Sequence, residues 1–178
     1  MDSKAQLTKT TVILHWLIAI AMIGSLAFGL YLEELPRSPD KGMLIGIHKS
    51  VGVLILAFAL YRIVWRMINR FPDRLSSVPQ WQEKVTKIVH LFLLAGTLFM
   101  PISGVMMSVG GGHPVAVFGF ELIAAGAENE LLGQIGHAIH GLGGKLLILA
   151  VALHVLASFK HALFTRDGTM KRILGSRV

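Results

Sequence analysis

Residues 11–32, TVILHWLIAIAMIGSLAFGLYL, decide the fold class. The stretch holds no Asp, Glu, Lys or Arg, and about 20 apolar residues in an α-helix cross the roughly 30 Å of hydrocarbon in a bilayer. We therefore predict a transmembrane helix here. Its histidine, His15, is a polar side chain at membrane depth, which makes it a candidate functional residue.

Three further apolar stretches of similar length follow, and the whole chain is rich in apolar residues. It has 178 residues, of which 53% are hydrophobic and only 15% are charged. Its mean hydropathy is +0.64. We predict an all-α, transmembrane four-helix bundle that forms a single membrane domain over residues 1–178, with no internal repeat. The predicted helices span about 11–32, 43–66, 88–108 and 138–164.

Basic residues are concentrated on one side of this predicted bundle. All but four of the 17 Lys and Arg residues fall in the N-terminal tail, around the connection between the second and third spans, or in the C-terminal segment. The positive-inside rule therefore puts both termini in the cytoplasm. Topology and anionic lipid explain the net charge of +7, so nucleic acid is not expected as a partner. A cleaved signal peptide is the alternative for the first span, but the run is long and lacks an A-x-A site.

The chain contains no cysteine. Disulfides, thiolate metal ligands, iron–sulfur clusters and covalently attached c-type haem are therefore excluded. The eight histidines are the candidate ligands of any cofactor, and all but His113 lie in the predicted spans or at their ends. A lone histidine in a membrane helix is more often a hydrogen-bond partner than a ligand, but several in register favour a cofactor.

Four of these histidines are predicted to form two pairs. His140 and His154 are 14 residues apart, so they point within about 40° of one direction and lie about 21 Å apart along the helix. His15 lies at the depth of His154 near the cytoplasmic side, whereas His48 and His140 open their helices on the external side. Two imidazoles leave a tetrahedral zinc or copper site incomplete, but they complete the axial coordination of a haem iron. The pattern therefore favours two b haems, with these four histidines as the metal ligands.

Four basic residues are candidates for binding the haem propionates. Arg62 and Arg66 lie 14 and 18 residues past His48, within about 40° of its direction and level with the inner pair. Snorkelling of these arginines to lipid phosphate is an equal alternative. Lys49 and Lys145 flank the outer ligands and are predicted to neutralise propionates, or else to attract a small anion.

Two further histidines are predicted at the cytoplasmic rim. His161 lies seven residues past His154 and nearly in phase with it, and His90 begins the third span on the same side. Together they would bind the head group of a quinone and exchange protons with it near neutral pH. Two solvated histidines at helix ends are the alternative.

Five motifs give the chain a family resemblance: ILHWLIAI (13–20), GMLIGIHKSVG (42–52), YRIVWR (61–66), MPISGVMM (100–107) and HAIHGLGGKLLILAVALHVLASFKH (137–161). Over essentially its whole length the sequence resembles the prokaryotic cytochrome b-561 family, which is related to the cytochrome b subunits of nickel–iron hydrogenases. The resemblance implies a multi-pass bundle in the bacterial inner membrane with two b haems, electron exchange with ubiquinone and, in one branch, oxidation of external superoxide. It also implies that His15, His48, His140 and His154 are haem ligands.

Three classes of function are compatible with these features. The favoured one is a membrane cytochrome that transfers single electrons from an external donor, such as superoxide, to ubiquinone as a freestanding oxidoreductase. The second is a non-catalytic haem subunit that docks a redox protein through residues 108–136 and passes electrons between it and the quinone pool. The third is a histidine-based metal transporter.

Overall fold

Four long helices dominate the computed structural model, which describes residues 2–69, 75 and 79–178. All four are long and apolar enough to cross a membrane. The elements in chain order are α1 Lys9–Glu34, α2 Pro39–Asn69, α3 Gln80–Gly110, β1 Val115–Val117, β2 Phe120–Ile123, α4 Glu130–Lys160, a π-helical turn His161–Thr165, and α5 Thr169–Ile173. The transmembrane helical fold predicted from the sequence is therefore confirmed.

The helices extend beyond the predicted spans, by eight residues at the starts of α3 and α4. Hydropathy detects only the part of a helix that lies in hydrocarbon, whereas the helix itself continues until it is capped. Asn129 caps α4 by accepting the N–H of Leu132 at 3.0 Å, and Thr8 caps α1 by accepting the N–H of Thr11 at 3.3 Å. The sequence predicts a connection between the second and third spans, and residues 70–74 and 76–78 of it lie outside the described residues.

Helices α3 and α4 pack on each other more extensively than any other pair. Glycines allow this close approach: a Cβ on Gly136 would lie 2.8 Å from the backbone nitrogen of Met107 and 2.9 Å from the carbonyl oxygen of Ser103. Gly110 and Gly133 meet in the same way at the end of the interface, with backbone atoms too close for a side chain. Small residues at a helix crossing strengthen packing where lipid provides no hydrophobic driving force.

Helices α1 and α2 stand away from α4. Helix α1 packs on α2, and α2 packs on α3, but neither α1 nor α2 makes extensive backbone contact with α4 within the described chain. One buried side chain from each long helix meets in the middle of the bundle, in a layer formed by Met22, Ile55, Met100 and Leu147. We call these four residues the central apolar layer.

The segment between α3 and α4, expected as a loop, contains a β-hairpin. Strands β1 and β2 pair antiparallel, and β1 packs against α2. At the other face of the bundle the two ends of the chain meet, because the N–H of Val178 donates to the carbonyl of Ala5 at 3.0 Å. Trp16 of α1 also donates to the carbonyl of Ile173 in α5 at 3.0 Å. Both termini therefore lie on one side of the bundle.

Candidate functional site

The first histidine pair joins α1 to α4. The ring centres of His15 and His154 are 6.5 Å apart, with the ring planes at 59°. Both side chains are half-buried. The pair spans the space that α1 and α4 leave between them, close to the face where the termini meet.

The second pair joins α2 to α4 in the other half of the bundle. The ring centres of His48 and His140 are 6.2 Å apart, and the ring planes are at 82°. Each histidine of the two pairs is seven residues from the central apolar layer: Met22 follows His15, Ile55 follows His48, and Leu147 lies midway between His140 and His154. The two pairs are thus on opposite sides of one buried apolar layer.

The spacing within each pair fits two axial ligands of one iron. An imidazole nitrogen lies about 2.0–2.1 Å from the metal that it binds, as at zinc, and the ring centre lies about 1.1 Å behind it, so opposed ligands have ring centres about 6 Å apart. The observed 6.5 and 6.2 Å agree with this separation. The residues present therefore fit two haem groups, one for each pair.

A metal site of the zinc type fits less well. The ring of His90 lies 5.2 Å from that of His154, which gives the first pair a third histidine nearby. Within the described residues, however, no three His, Asp or Glu side chains converge to enclose a metal ion. Axial ligation needs two ligands only, and each pair supplies them.

Hydrogen bonds from α3 fix the orientation of His140. Its Nδ1 lies 3.0 Å from the hydroxyl of Ser103 and 3.1 Å from the carbonyl oxygen of Met100, while Ser103 itself donates to that carbonyl at 2.8 Å. A carbonyl oxygen accepts only, so Nδ1 carries the proton and Nε2 keeps the lone pair that a metal needs. His48 has a longer counterpart, with Nδ1 3.4 Å from the hydroxyl of Ser25.

Two glycines make room for the outer pair. A Cβ on Gly29 would lie 3.4 Å from Cε1 of His48, and a Cβ on Gly104 would lie 3.4 Å from Cε1 of His140. A methyl group at either position would already touch the ring of the histidine, so little room is left there for a longer side chain. Gly29 lies 14 residues past His15 and is in phase with it, whereas Gly104 and the serine partners are site residues that the histidine pattern alone does not reveal.

The predicted arginines have different environments. Arg62 is half-buried, and its charge acts on both His15 and His154, so it lies near the inner pair. Arg66, whose charge also acts on His15, forms an ion pair with Asp2 at 2.6 Å, and the Asp2 side chain is only 1% exposed. Asp2 also accepts from the N–H of Thr8 at 2.7 Å and the hydroxyl of Thr11 at 2.8 Å.

The two predicted lysines do not come together. Lys49 points to the hairpin, where its ammonium donates to the carbonyl of Pro114 at 3.3 Å. Lys145 is exposed on α4 between the levels of the two pairs. Their proposed contact with haem propionates stays a prediction.

The two rim histidines have separate contacts. His90 lies edge-on to His154, at the inner pair. His161 begins the π-helical turn, and its Nδ1 is 2.7 Å from the Oδ2 of Asp167, whose side chain is only 7% exposed. Thr169 donates its N–H to the other oxygen of Asp167 at 3.0 Å. The structure therefore gives His161 an orienting carboxylate that the sequence did not indicate.

Comparison with known proteins decides the family. The family model described as prokaryotic cytochrome b561 matches residues 6–176. The chain belongs to this family. Cytochrome b561 homolog 2 of Escherichia coli strain K12 is 31% identical over 170 residues, covering 90% of this chain and 87% of the relative. The probable superoxide oxidase CybB of Yersinia pestis is 26% identical over 166 residues, covering 90% and 91%.

Membership identifies the chain as a multi-pass membrane cytochrome that uses haem b in electron transport. The family also agrees with the geometry, since two imidazoles facing each other across about 6 Å form a site of the haem b type. A cytochrome b561 needs no cysteine for its cofactor, and this chain has none.

Proposed function

We propose that this protein is a di-haem cytochrome that carries single electrons across the bacterial inner membrane, from an external donor to ubiquinone. The observation that carries the proposal is the presence of two histidine pairs with ring centres 6.5 and 6.2 Å apart, on either side of the central apolar layer. His15 with His154 would hold the inner haem, and His48 with His140 the outer one. When bound, haem b supplies a one-electron carrier whose axial ligands stay the same in both oxidation states.

The direction of transfer follows from the proposed topology, in which both termini are cytoplasmic. The ligands on α4 are 14 residues apart, about 21 Å along the axis. Moving an electron inward over about 21 Å of a roughly 30 Å core opposes an inside-negative potential by about 1.6 kcal/mol per 100 mV. The donor must therefore be more reducing than the acceptor by at least this amount.

Superoxide is the external donor that we propose. One relative is named as a probable superoxide oxidase, and it covers 90% of this chain. Two superoxide ions would each lose one electron and leave as O₂, and one ubiquinone would take up the two electrons with two protons from the cytoplasmic side. Superoxide is small enough to approach the outer pair without a docking protein.

Quinone would be reduced at the cytoplasmic rim, next to the inner pair. His161 is supported there by the carboxylate of Asp167 at 2.7 Å, an arrangement that orients the imidazole and allows it to deliver a proton. The ring of His90 lies 5.2 Å from that of His154, next to the inner pair. The role of both histidines at the quinone is part of the proposal.

Haem stoichiometry tests the proposal directly. Purified protein should show b-type absorption bands and about two haems per chain, and alanine at any one of the four ligands should remove one haem. The double variant His15→Ala/His154→Ala should keep one haem, because both ligands serve the same site. The double variant His15→Ala/His48→Ala should keep none. A colourless wild type, or equal losses in the two double variants, would refute the assignment.

A second experiment separates a freestanding oxidoreductase from a subunit. Superoxide from an enzymatic source is added to the purified oxidised protein, with and without a soluble ubiquinone analogue. Haem reduction that is abolished by superoxide dismutase, and quinol formation without any added protein, support the proposed donor and acceptor. If superoxide leaves the haems oxidised but a periplasmic redox protein reduces them, the chain is assigned to the subunit class instead.

A further inference from the structure

The hairpin formed by β1 and β2 lies across α2 well inside the end of that helix. Ser50, which is 3% exposed, accepts the N–H of Phe118 at 2.9 Å. Ser50 is 11 residues from the first residue of α2, about 16 Å along its axis. The 31-residue helix is about 46 Å long, so if it overhangs the roughly 30 Å core equally at both ends, Ser50 lies inside the hydrocarbon boundary.

The free surface of the hairpin is apolar. Phe118 is 66% exposed and Phe120 is 73% exposed, and Leu122 is exposed beside them. In β2 the side chains alternate, so Phe120 and Leu122 share one face while Glu121 lies on the other. One face of the strand is thus apolar, and its single charge, with Ile123, lies on the other face.

The turn residue supports a role for the apolar side chain itself. Phe118 has φ 47° and Gly119 has φ 92°, so both central residues of the turn adopt the left-handed conformation. Such turns strongly favour Asn, Asp or Gly, and a bulky residue there is unfavourable. A phenylalanine at this position, with 66% of its surface exposed, is explained if the exposed part of its ring is buried in another apolar medium.

A groove beneath the hairpin continues this surface. It has a volume of about 340 Å³ between α2 and the hairpin, and its lining includes Met43, Ile47 and Phe118. Among the described residues that line it, Lys49 alone is charged. An apolar groove with one ammonium group at a membrane boundary is complementary to a phospholipid, whose acyl chain is apolar and whose phosphate is anionic.

We propose that the hairpin is a membrane-interface element, with the side chains of Phe118 and Phe120 inserted among the phospholipids of the leaflet nearest the outer histidine pair. The bilayer, rather than a docked redox protein, then covers this surface. Ser50 makes the insertion possible, because it satisfies a backbone N–H at a depth where water is scarce. This surface continues the lipid-facing side of α2, where Met43 and Ile47 are exposed.

Spin labels on single cysteines test this proposal, since the chain has no cysteine of its own. Phe118→Cys and Phe120→Cys are labelled in the haem-loaded protein in phospholipid nanodiscs, with Glu121→Cys as the matched control on the other face of the strand. Leu142→Cys, exposed on α4, gives the reference for lipid, and Glu128→Cys gives the reference for water. The measurement compares collisions with oxygen, which concentrates among acyl chains, and with a water-soluble nickel chelate.

Labels at 118 and 120 are expected to show an oxygen-to-nickel collision ratio several times that at 121 and closer to the value at 142. Ratios at 118 and 120 equal to those at 121 and 128 would place the hairpin in water and overturn the proposal. Strong immobilisation with both reagents excluded would show burial against protein, which also overturns it. Haem content, unchanged in every labelled variant, confirms that each retains its fold.

Discussion

Removing the hydroxyl of Ser103 should change only the outer haem, the one that we propose is held by His48 and His140. His140 shares its Nδ1 proton between Ser103 at 3.0 Å and the carbonyl of Met100 at 3.1 Å, so Ser103→Ala deletes one acceptor and leaves the other. A net hydrogen bond is worth about 0.5–1.5 kcal/mol, and about 1 kcal/mol corresponds to about 40 mV in a one-electron couple. Acceptors at Nδ1 raise the basicity of the ligand and so favour ferric iron. The potential of the outer haem should therefore rise, by at most about 65 mV, which corresponds to about 1.5 kcal/mol.

Redox titration followed by absorbance measures this change. Ser158→Ala is the matched control, because the Ser158 hydroxyl donates to the backbone carbonyl of His154 at 2.8 Å and not to its ring. The control should leave both potentials within error of the wild type. A shift of the inner haem in Ser103→Ala, or a fall in the outer potential, would refute the reasoning.

Three other substitutions should change stability or activity in a direction that the structure predicts. Gly136→Ala puts a Cβ within 3.0 Å of α3 backbone atoms and should lower the free energy of unfolding by about 1–3 kcal/mol. In the control Gly141→Ala the new Cβ meets nothing within 4 Å, and the free energy of unfolding should rise by up to about 1 kcal/mol. Equal melting temperatures of the two variants would contradict this. Burial alone would raise the pKa of Asp2, but bonds from Thr8, Arg66 and Thr11 lower it overall. The ionised Asp2 therefore stabilises the protein above the pKa of the unfolded state, and this effect is lost as the pH falls through the lower pKa of the folded state. Melting curves should show Asp2→Asn to be less stable than the wild type at pH 7, and the difference should shrink below about pH 4. Asp167→Asn should slow quinone reduction and alter its pH profile while both haems stay bound; an unchanged profile would exclude the proton role of His161.

Helix geometry explains why the histidine pairs were predictable. Four apolar spans fix the approximate depth of each residue, and a regular rise of about 1.5 Å per residue gives the relative depth of ligands on one helix. His140 and His154 could therefore be matched with His48 and His15 before any tertiary contact was known. The structure brings these rings to 6.2 and 6.5 Å.

The contacts that the sequence did not reveal depend on irregular or distant pairing. The ion pair between Asp2 and Arg66 joins residues 64 apart, across a chain segment whose path no helix period predicts. His161 reaches Asp167, six residues on, because the π-helical turn and the left-handed Arg166 redirect the chain. The hairpin was missed because its turn has phenylalanine where turn-forming residues are expected.

If electrons cross the bundle as we propose, the central apolar layer explains how they do so without a path for ions. Met22, Ile55, Met100 and Leu147 come one from each long helix, and Leu147 is 1% exposed. The layer lies seven residues from each histidine, about 10 Å toward either pair. Hydrated ions and protons need polar groups or water to cross such a layer, which its side chains do not provide. Electrons need neither, so in the proposed function the four residues that pack the helices together would also restrict transfer across the layer to electrons.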